Sequence, residues 1–168
     1  AEMTLAQRTR LAAQLVTYKF APYRNIVNEV EDTQEMYIIQ EGTVEVWTDP
    51  ENPGEEAQQP RRVASLTPGE MTGELAMLDA GLRTADLISG PDGATVLALS
   101  RESLMAVQED DTDLATKLLW NIALAMSGRV RFILWQLQRA NQRVRAEKEL
   151  WETERDKQHR ETTRSVLG

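Results

Sequence analysis

Glycine and proline are distributed very unevenly along this chain of 168 residues. All six prolines and seven of the nine glycines precede residue 94, and neither residue occurs between Gly128 and Gly168. Both interrupt regular structure, glycine through its conformational freedom and proline through its fixed φ and missing N–H. The first part of the chain is therefore predicted to consist of short strands joined by turns, and the last part to be one long helix.

Apolar or alternating segments between the turn signals mark the strands. Residues 36–39 are predicted to form a buried strand, Gly42 a turn, and residues 43–47 the returning strand. Other segments are predicted as strands over 63–66, 85–89 and 94–99, turns at 68–69 and 90–93, and an exposed loop over 49–56. Many short strands broken by glycine and proline favour a β-barrel or jelly roll.

Helical spacing appears at both ends of the chain. Residues 4–18 carry apolar side chains at near-helical intervals and predict a leading helix. Ser100 suits the N-cap of a helix over 101–108, and Asp111 or Thr112 suits the N-cap of the next.

The composition excludes several classes of function. A net charge of −8 at pH 7 argues against a nucleic-acid-binding surface. The absence of cysteine removes disulfides, thiolate nucleophiles and thiolate metal ligands. The one histidine, His159, lies in a charged run and is interpreted as a solvated helix residue. No apolar stretch reaches the roughly 18 residues of a membrane span, and no signal peptide is visible. We expect a cytoplasmic location, or that the chain is the cytoplasmic portion of a larger protein.

Residues 73–85 combine groups that suit a phosphorylated sugar. Gly73 lets the backbone approach a ligand closely, and the apolar residues 75–78 can form one or two helical turns. The first N–H groups of such turns have no partner within the helix and can face an anion. Glu74 and Arg83, nine positions apart, add an acceptor for sugar hydroxyls and a fork for phosphate.

The same stretch resembles the phosphate-binding cassette of the cyclic nucleotide-binding domain family: Gly-Glu-Leu-Ala, six residues, then Arg-Ala/Ser/Thr-Ala. A Tyr-Ile-Ile strand, a glycine turn and a Val-X-Val strand within 36–47 extend the resemblance, as does Pro-Gly-Glu at 68–70. The resemblance implies that Arg83 pairs with the cyclic phosphate and Glu74 takes the ribose 2′-OH. The ligand-binding residues that it implies are Gly73, Glu74, Leu75, Ala76, Arg83 and Thr84, with backbone N–H groups of Leu75, Ala76 and Thr84 completing the cradle.

The resemblance implies an α+β fold. Its parts are a β-barrel or jelly roll of short antiparallel strands, a short leading helix, a phosphate-cassette helix and a long C-terminal helix. Segments 21–25 and 29–32 depart from the family pattern, because each lacks a turn glycine. Val30 replaces one of these glycines, and valine disfavours positive φ, so we expect this turn to differ from the family's.

Residues that are mostly apolar recur along the long helix at alternating spacings of four and three, as in an a/d heptad seam. One seam is Val130, Leu134, Leu137, Asn141, Val144, Lys148 and Trp151; a competing seam is Ile133, Leu137, Ala140, Val144 and Trp151. At about 1.5 Å per residue the helix is longer than a small barrel. This length favours a coiled-coil dimer over a helix that packs only on its own barrel. The predicted domains are a binding domain over 1–127 and a dimerisation or signalling helix over 128–168.

The predicted function is a regulatory sensor that binds cAMP or cGMP and relays binding through the long helix to a homodimer partner or to another domain of a longer parent protein. Thr84 is compatible with either nucleotide. Arg129, Arg131 and Trp135 on that helix are candidates for contacts to the base.

Three other functions are considered beside the sensor. No catalytic or metal-binding constellation is recognised, so neither an enzyme, nor a catalytic cofactor, nor a metal site is expected. A transcription factor of the catabolite-activator type would need a helix-turn-helix after the long helix; residues 1–168 contain none, and this rival stays open for a parent protein that continues past Gly168. The alternative left open is a degenerate domain that acts in dimerisation or protein interaction without nucleotide.

Overall fold

The computed structural model describes residues 2–48 and 60–166, with side chains up to Arg155, so the predicted loop over 49–56 and the His159 side chain lie outside it. The strands in this part of the chain are β1 (Val16–Phe20), β2 (Asn25–Val27), β3 (Glu35–Thr48), β4 (Arg61–Leu66), β5 (Met71–Thr72) and β6 (Asp86–Ser100). Its helices are α1 (Leu5–Ala12), α2 (Glu74–Asp79), α3 (Arg101–Asp110) and α4 (Thr112–Val166). The chain forms two compact units, the first ending at Ile122 and the second beginning at Ala123.

The strands form one antiparallel sheet in the order β1-β6-β3-β4, with β2 also paired to β6 and β5 to β3. One core cluster of buried side chains from this sheet consists of Val27, Tyr37, Ile39, Val44, Leu66, Leu87, Ala94, Val96 and Ala98. This sheet, the short helices and the long C-terminal helix confirm the predicted α+β jelly-roll class.

Two strands are longer than predicted, because neither Gly42 nor residues 90–93 reverse the chain. β3 runs for 14 residues and β6 for 15, and their register shifts on both sides of Gly42. Gly42 has φ +73, and a Cβ there would overlap the Gly93 carbonyl oxygen. The prediction of separate short strands was wrong here, because glycine can bend a strand at a bulge without ending it.

α1 is shorter than predicted. Its N-terminus carries a capping box, in which Thr4 Oγ1 accepts from the Gln7 N–H at 3.2 Å and Gln7 Oε1 accepts from the Thr4 N–H at 3.1 Å. The helix ends at Ala12, because residues 16–20 pair with β6 as β1. Strand pairing therefore overrides the near-helical spacing of the apolar residues.

The later helices begin at side-chain caps. Ser100 Oγ accepts from the Ser103 N–H at 3.0 Å, which confirms the predicted cap of α3. Asp111 Oδ1 accepts from the Leu114 N–H at 3.0 Å and begins α4. The helix then continues through Gly128, so the predicted helix after Arg129 is the later part of a 55-residue element.

A polar cluster joins α1 to the first turns of α4. Gln7 Nε2 and Lys117 Nζ each donate to Asp113 Oδ2 at 2.7 Å. The bonds from Lys117 and Gln7 hold the pKa of the Asp113 carboxyl below its ordinary value. The cluster links elements separated by about 100 residues of sequence, so it specifies where the leading helix docks.

The turn at Val30 keeps a left-handed backbone although its residue is β-branched. Val30 has φ +69 and Tyr23 has φ +57. The expectation that valine would avoid positive φ at this position was therefore wrong. Two backbone bonds hold the turn, from the Val30 N–H to the Arg83 carbonyl at 3.0 Å and from the Arg83 N–H to the Glu31 carbonyl at 3.1 Å. Such bonds can outweigh a local conformational penalty of about 1–3 kcal/mol.

We expect Val30→Gly to raise the free energy of unfolding by about 1 kcal/mol, because glycine adopts positive φ without strain. The Val30 side chain is exposed, so little burial is lost. Urea unfolding at 25 °C measures the change. Val63→Gly, at an exposed valine of the extended strand β4, is the matched control and should be destabilising. A loss of stability in Val30→Gly would contradict the prediction.

Candidate functional site

Segment 73–85 folds as a compact loop that contains α2 and connects β5 to β6. Gly73 is the N-cap of α2 with φ +79. A Cβ at this position would lie 2.7 Å from the Glu35 carbonyl oxygen and would overlap Arg83 Nη1. Glycine is therefore required by both its backbone conformation and its surroundings.

Arg83 closes this loop and is nearly buried, with 5% of its surface exposed. Its Nη1 donates to the Gly73 carbonyl oxygen at 3.3 Å, and its Nε donates to Thr33 Oγ1 at 2.8 Å. The buried Nη2 has no hydrogen-bond partner in the part of the chain that the structure describes. Burying such a donor without a partner is costly, so an anion that accepts from Nη2 would be favoured.

The other predicted binding residues differ in exposure. Glu74 is the first residue of α2 and only 6% exposed, where the helix dipole favours a carboxylate. Ala76 is buried, whereas Leu75 and Thr84 are exposed. The roles implied for Leu75, Ala76 and Thr84 use their backbone N–H groups rather than their side chains. The structure thus brings Gly73 and Arg83 into contact, with Glu74 next to Gly73 in the chain, and ligand binding by these residues stays a prediction.

Tyr37 was missed in the sequence, although it forms one wall around Arg83. The guanidinium carbon lies 5.4 Å from the Tyr37 ring centroid, a cation–π arrangement. The Tyr37 hydroxyl donates to Glu35 Oε2 at 2.9 Å. Burial, followed by the Glu35 carboxylate, raises the pKa of Tyr37 far above its ordinary value.

Arg101 was also missed, and it holds the other end of α2. Its Nη1 donates to the carbonyl oxygens of Met77 at 2.7 Å and Leu78 at 2.6 Å. A cation at a helix C-terminus satisfies carbonyls that lack helical partners and opposes the negative end of the dipole. Position 101 follows the Ser100 cap, but no local pattern indicates its distant partner.

We expect Arg101→Ala to lower the free energy of unfolding by about 2 kcal/mol, because two charge-assisted hydrogen bonds are lost. Urea unfolding measures the effect. Arg10→Ala removes an exposed ion pair to Asp111 and should cost less than about 1 kcal/mol. Equal losses in the two variants would contradict the capping role of Arg101.

The three candidate base contacts lie on α4, in the second unit. Trp135 is half-exposed and stacks on Phe132, with ring centroids 6.1 Å apart. The guanidinium carbon of Arg139 lies 4.7 Å from the Trp135 ring centroid. Arg131 is exposed and Arg129 is partly buried. Contact of these residues with a base stays a prediction.

Among the side chains that the structure describes, over 2–48 and 60–155, no group of three or more histidine, aspartate or glutamate residues is gathered as a metal site. Over the same residues, no helix combines the length and the apolar character that crossing a membrane requires.

Comparison with known proteins gives a family and several similar folds. The family model for the cyclic nucleotide-binding domain matches residues 18–111, which include the whole of 73–85. A cyclic nucleotide-binding domain from Methylobacillus flagellatus is 21% identical with a TM-score of 0.71, covering 78% of this chain and 70% of that one. The catabolite activator protein of Thermus thermophilus is 24% identical with a TM-score of 0.67, covering 81% of this chain and 59% of that one.

A third similar structure was solved with a nucleotide. The regulatory domain of Toxoplasma gondii PKA, in complex with cAMP, is 26% identical with a TM-score of 0.56. The alignment covers 72% of this chain and 43% of that one. No curated protein sequence matches the chain.

Proposed function

The chain belongs to the cyclic nucleotide-binding domain family, and we propose that it is a non-catalytic regulatory sensor for cAMP or cGMP. Family membership makes it a regulatory binding fold. The nucleotide, its binding residues and the relay to a partner are the proposed part. We expect the protein to act in the cytoplasm, where cyclic nucleotides are signals.

The observation that carries the proposal is the burial and the hydrogen bonding of the Arg83 guanidinium. This group is buried and held on two sides, while Nη2 has no partner among the described residues. A cyclic phosphate carries one negative charge and two exocyclic oxygens, either of which can accept from Nη2. A charge-assisted bond in a buried place is stronger than the same bond in water.

The remaining contacts follow from the family resemblance. Glu74 would accept from the ribose 2′-OH, and the backbone N–H groups of Leu75, Ala76 and Thr84 would bind the phosphate beside Arg83. The relative from Toxoplasma gondii was solved with cAMP, which supports cAMP as one ligand. cGMP is the other candidate, because in the family a threonine at the position of Thr84 can contact the guanine amino group.

The relay is proposed to run through α4 and a second copy of this chain. The residues common to both heptad seams are exposed: Leu137 by 54%, Val144 by 63% and Trp151 by 60%. An exposed apolar stripe at heptad spacing is what a coiled-coil partner covers. Contacts of Arg129, Arg131 or Trp135 with the base would couple the nucleotide to this helix, because a ligand shifts an equilibrium only through differential contacts.

Titration calorimetry of the whole chain with cAMP and with cGMP tests the proposal. Mass spectrometry of the purified protein under denaturing conditions first establishes whether nucleotide is retained. Saturable binding of about one nucleotide per chain supports the sensor. No heat and no thermal shift at millimolar nucleotide, with none retained, would favour the alternative of a dimerisation or interaction module without nucleotide.

A further inference from the structure

The loop between β2 and β3, residues 28–34, holds Arg83 at its backbone and at its side chain. The two backbone bonds at Val30 and Glu31 fix the main chain of Arg83 at 3.0 and 3.1 Å. From the same loop, Thr33 Oγ1 accepts the Nε–H of Arg83 at 2.8 Å. These residues lie about 50 positions before the arginine and outside the cassette motif.

We infer that Thr33 is a positioning residue that holds the Arg83 guanidinium so that its Nη2 meets the ligand phosphate. The inference rests on the proposed function. A guanidinium donates through three nitrogens, Nε, Nη1 and Nη2. Thr33 Oγ1 accepts from Nε and the Gly73 carbonyl oxygen accepts from Nη1, whereas Nη2 has no partner among the residues that the structure describes. The phosphate is therefore expected to meet the guanidinium at Nη2.

Three further features keep the guanidinium in this orientation. The Gly73 carbonyl oxygen accepts from Nη1, and the Tyr37 ring covers one face of the group. Thr33 is β-branched, so few side-chain rotamers are open to its hydroxyl. Arginine has a large side-chain entropy to lose on binding, and ordering it beforehand removes that cost from the binding step.

The inference predicts a specific change in stereochemical discrimination. In the Sp and Rp phosphorothioates of cAMP and cGMP, sulfur replaces one or the other exocyclic oxygen. A guanidinium held in one orientation adds to the distinction that the backbone N–H groups of the cradle make between the two oxygens, whereas one free to turn adds less. We expect Thr33→Val to weaken binding of the parent nucleotide about tenfold and to shift the Sp-to-Rp affinity ratio toward one. Thr33→Ser, which keeps the hydroxyl, should restore both values.

Calorimetry on wild type, Thr33→Val and Thr33→Ser measures these quantities in parallel. A merely structural role would weaken every ligand by the same factor and leave the ratio unchanged, which would overturn the inference. Wild-type affinity together with a wild-type ratio in Thr33→Val would overturn it as well. Absence of nucleotide binding in the wild type would instead contradict the proposed function.

Nitrogen-15 NMR of the Arg83 Nε–H group in the wild type tests the positioning, first without ligand and then with it, and does not depend on the folding of Thr33→Val. The signal is assigned by its loss in Arg83→Lys. In the wild type it should exchange with water much more slowly than the Nε–H of exposed Arg139. On nucleotide addition, the chemical shift of the Arg83 Nε–H group should change less than the chemical shifts of its Nη groups. Exchange as fast as that of Arg139, or a dominant Nε shift on binding, would overturn the inference.

Discussion

Replacing Arg83 by glutamine is expected to weaken cyclic nucleotide binding by about 100- to 1,000-fold. The substitution removes the positive charge opposite the phosphate in a nearly buried place, where losing one partner of a charge pair costs about 3–4 kcal/mol. Glutamine keeps a polar group beside Thr33 and Gly73, so the loop retains part of its hydrogen bonding. Titration calorimetry with cAMP and cGMP measures the change.

A matched control separates the specific role of Arg83 from the effect of total charge. Arg62→Gln removes the same charge from an exposed ion pair with Glu45 on the sheet and should leave affinity unchanged. Circular dichroism and thermal unfolding show that each variant is folded at the titration temperature. Binding by Arg83→Gln within about threefold of the wild type would contradict the assignment of the phosphate to Arg83.

Replacing both Leu137 and Val144 by glutamate is expected to convert the proposed dimer into a monomer. Both residues belong to each of the two seams and are exposed on α4. A coiled coil would bury them against a second copy, and four carboxylates in that interface would face desolvation and like-charge repulsion. Sedimentation velocity over a range of micromolar concentrations measures the change in mass.

The matched control places the same two glutamates away from the seams. Gln142→Glu with Ala146→Glu adds the same charge at positions outside both seams and should leave the dimer intact. A dimer that survives Leu137→Glu with Val144→Glu would contradict the seam as its interface. A wild-type chain that is monomeric throughout the range would contradict the dimer itself.

The features that sequence patterns predicted correctly depend on contacts between near neighbours. Ser100 and Asp111 accept from N–H groups three residues later, and the long helix follows from a tract without glycine or proline. The cassette motif is likewise local, since Gly73 and Arg83 are ten positions apart and contact each other through one short loop. The spacing of two residues in the sequence predicts such a contact because the short chain between them can adopt few alternative conformations.

Other features depend on contacts between residues that are far apart in the chain. The local sequence around one such residue does not indicate which distant residue it contacts. Whether Gly42 reverses a strand or bends it is decided by pairing with β6, about 50 residues later. The left-handed Val30 turn is retained because its backbone bonds Arg83, and Thr33 reaches the same arginine across the fold. The residue types of loop 73–85 could thus be read from the sequence, whereas the orientation of Arg83 is set by packing and hydrogen bonds that exist only after the sheet has assembled.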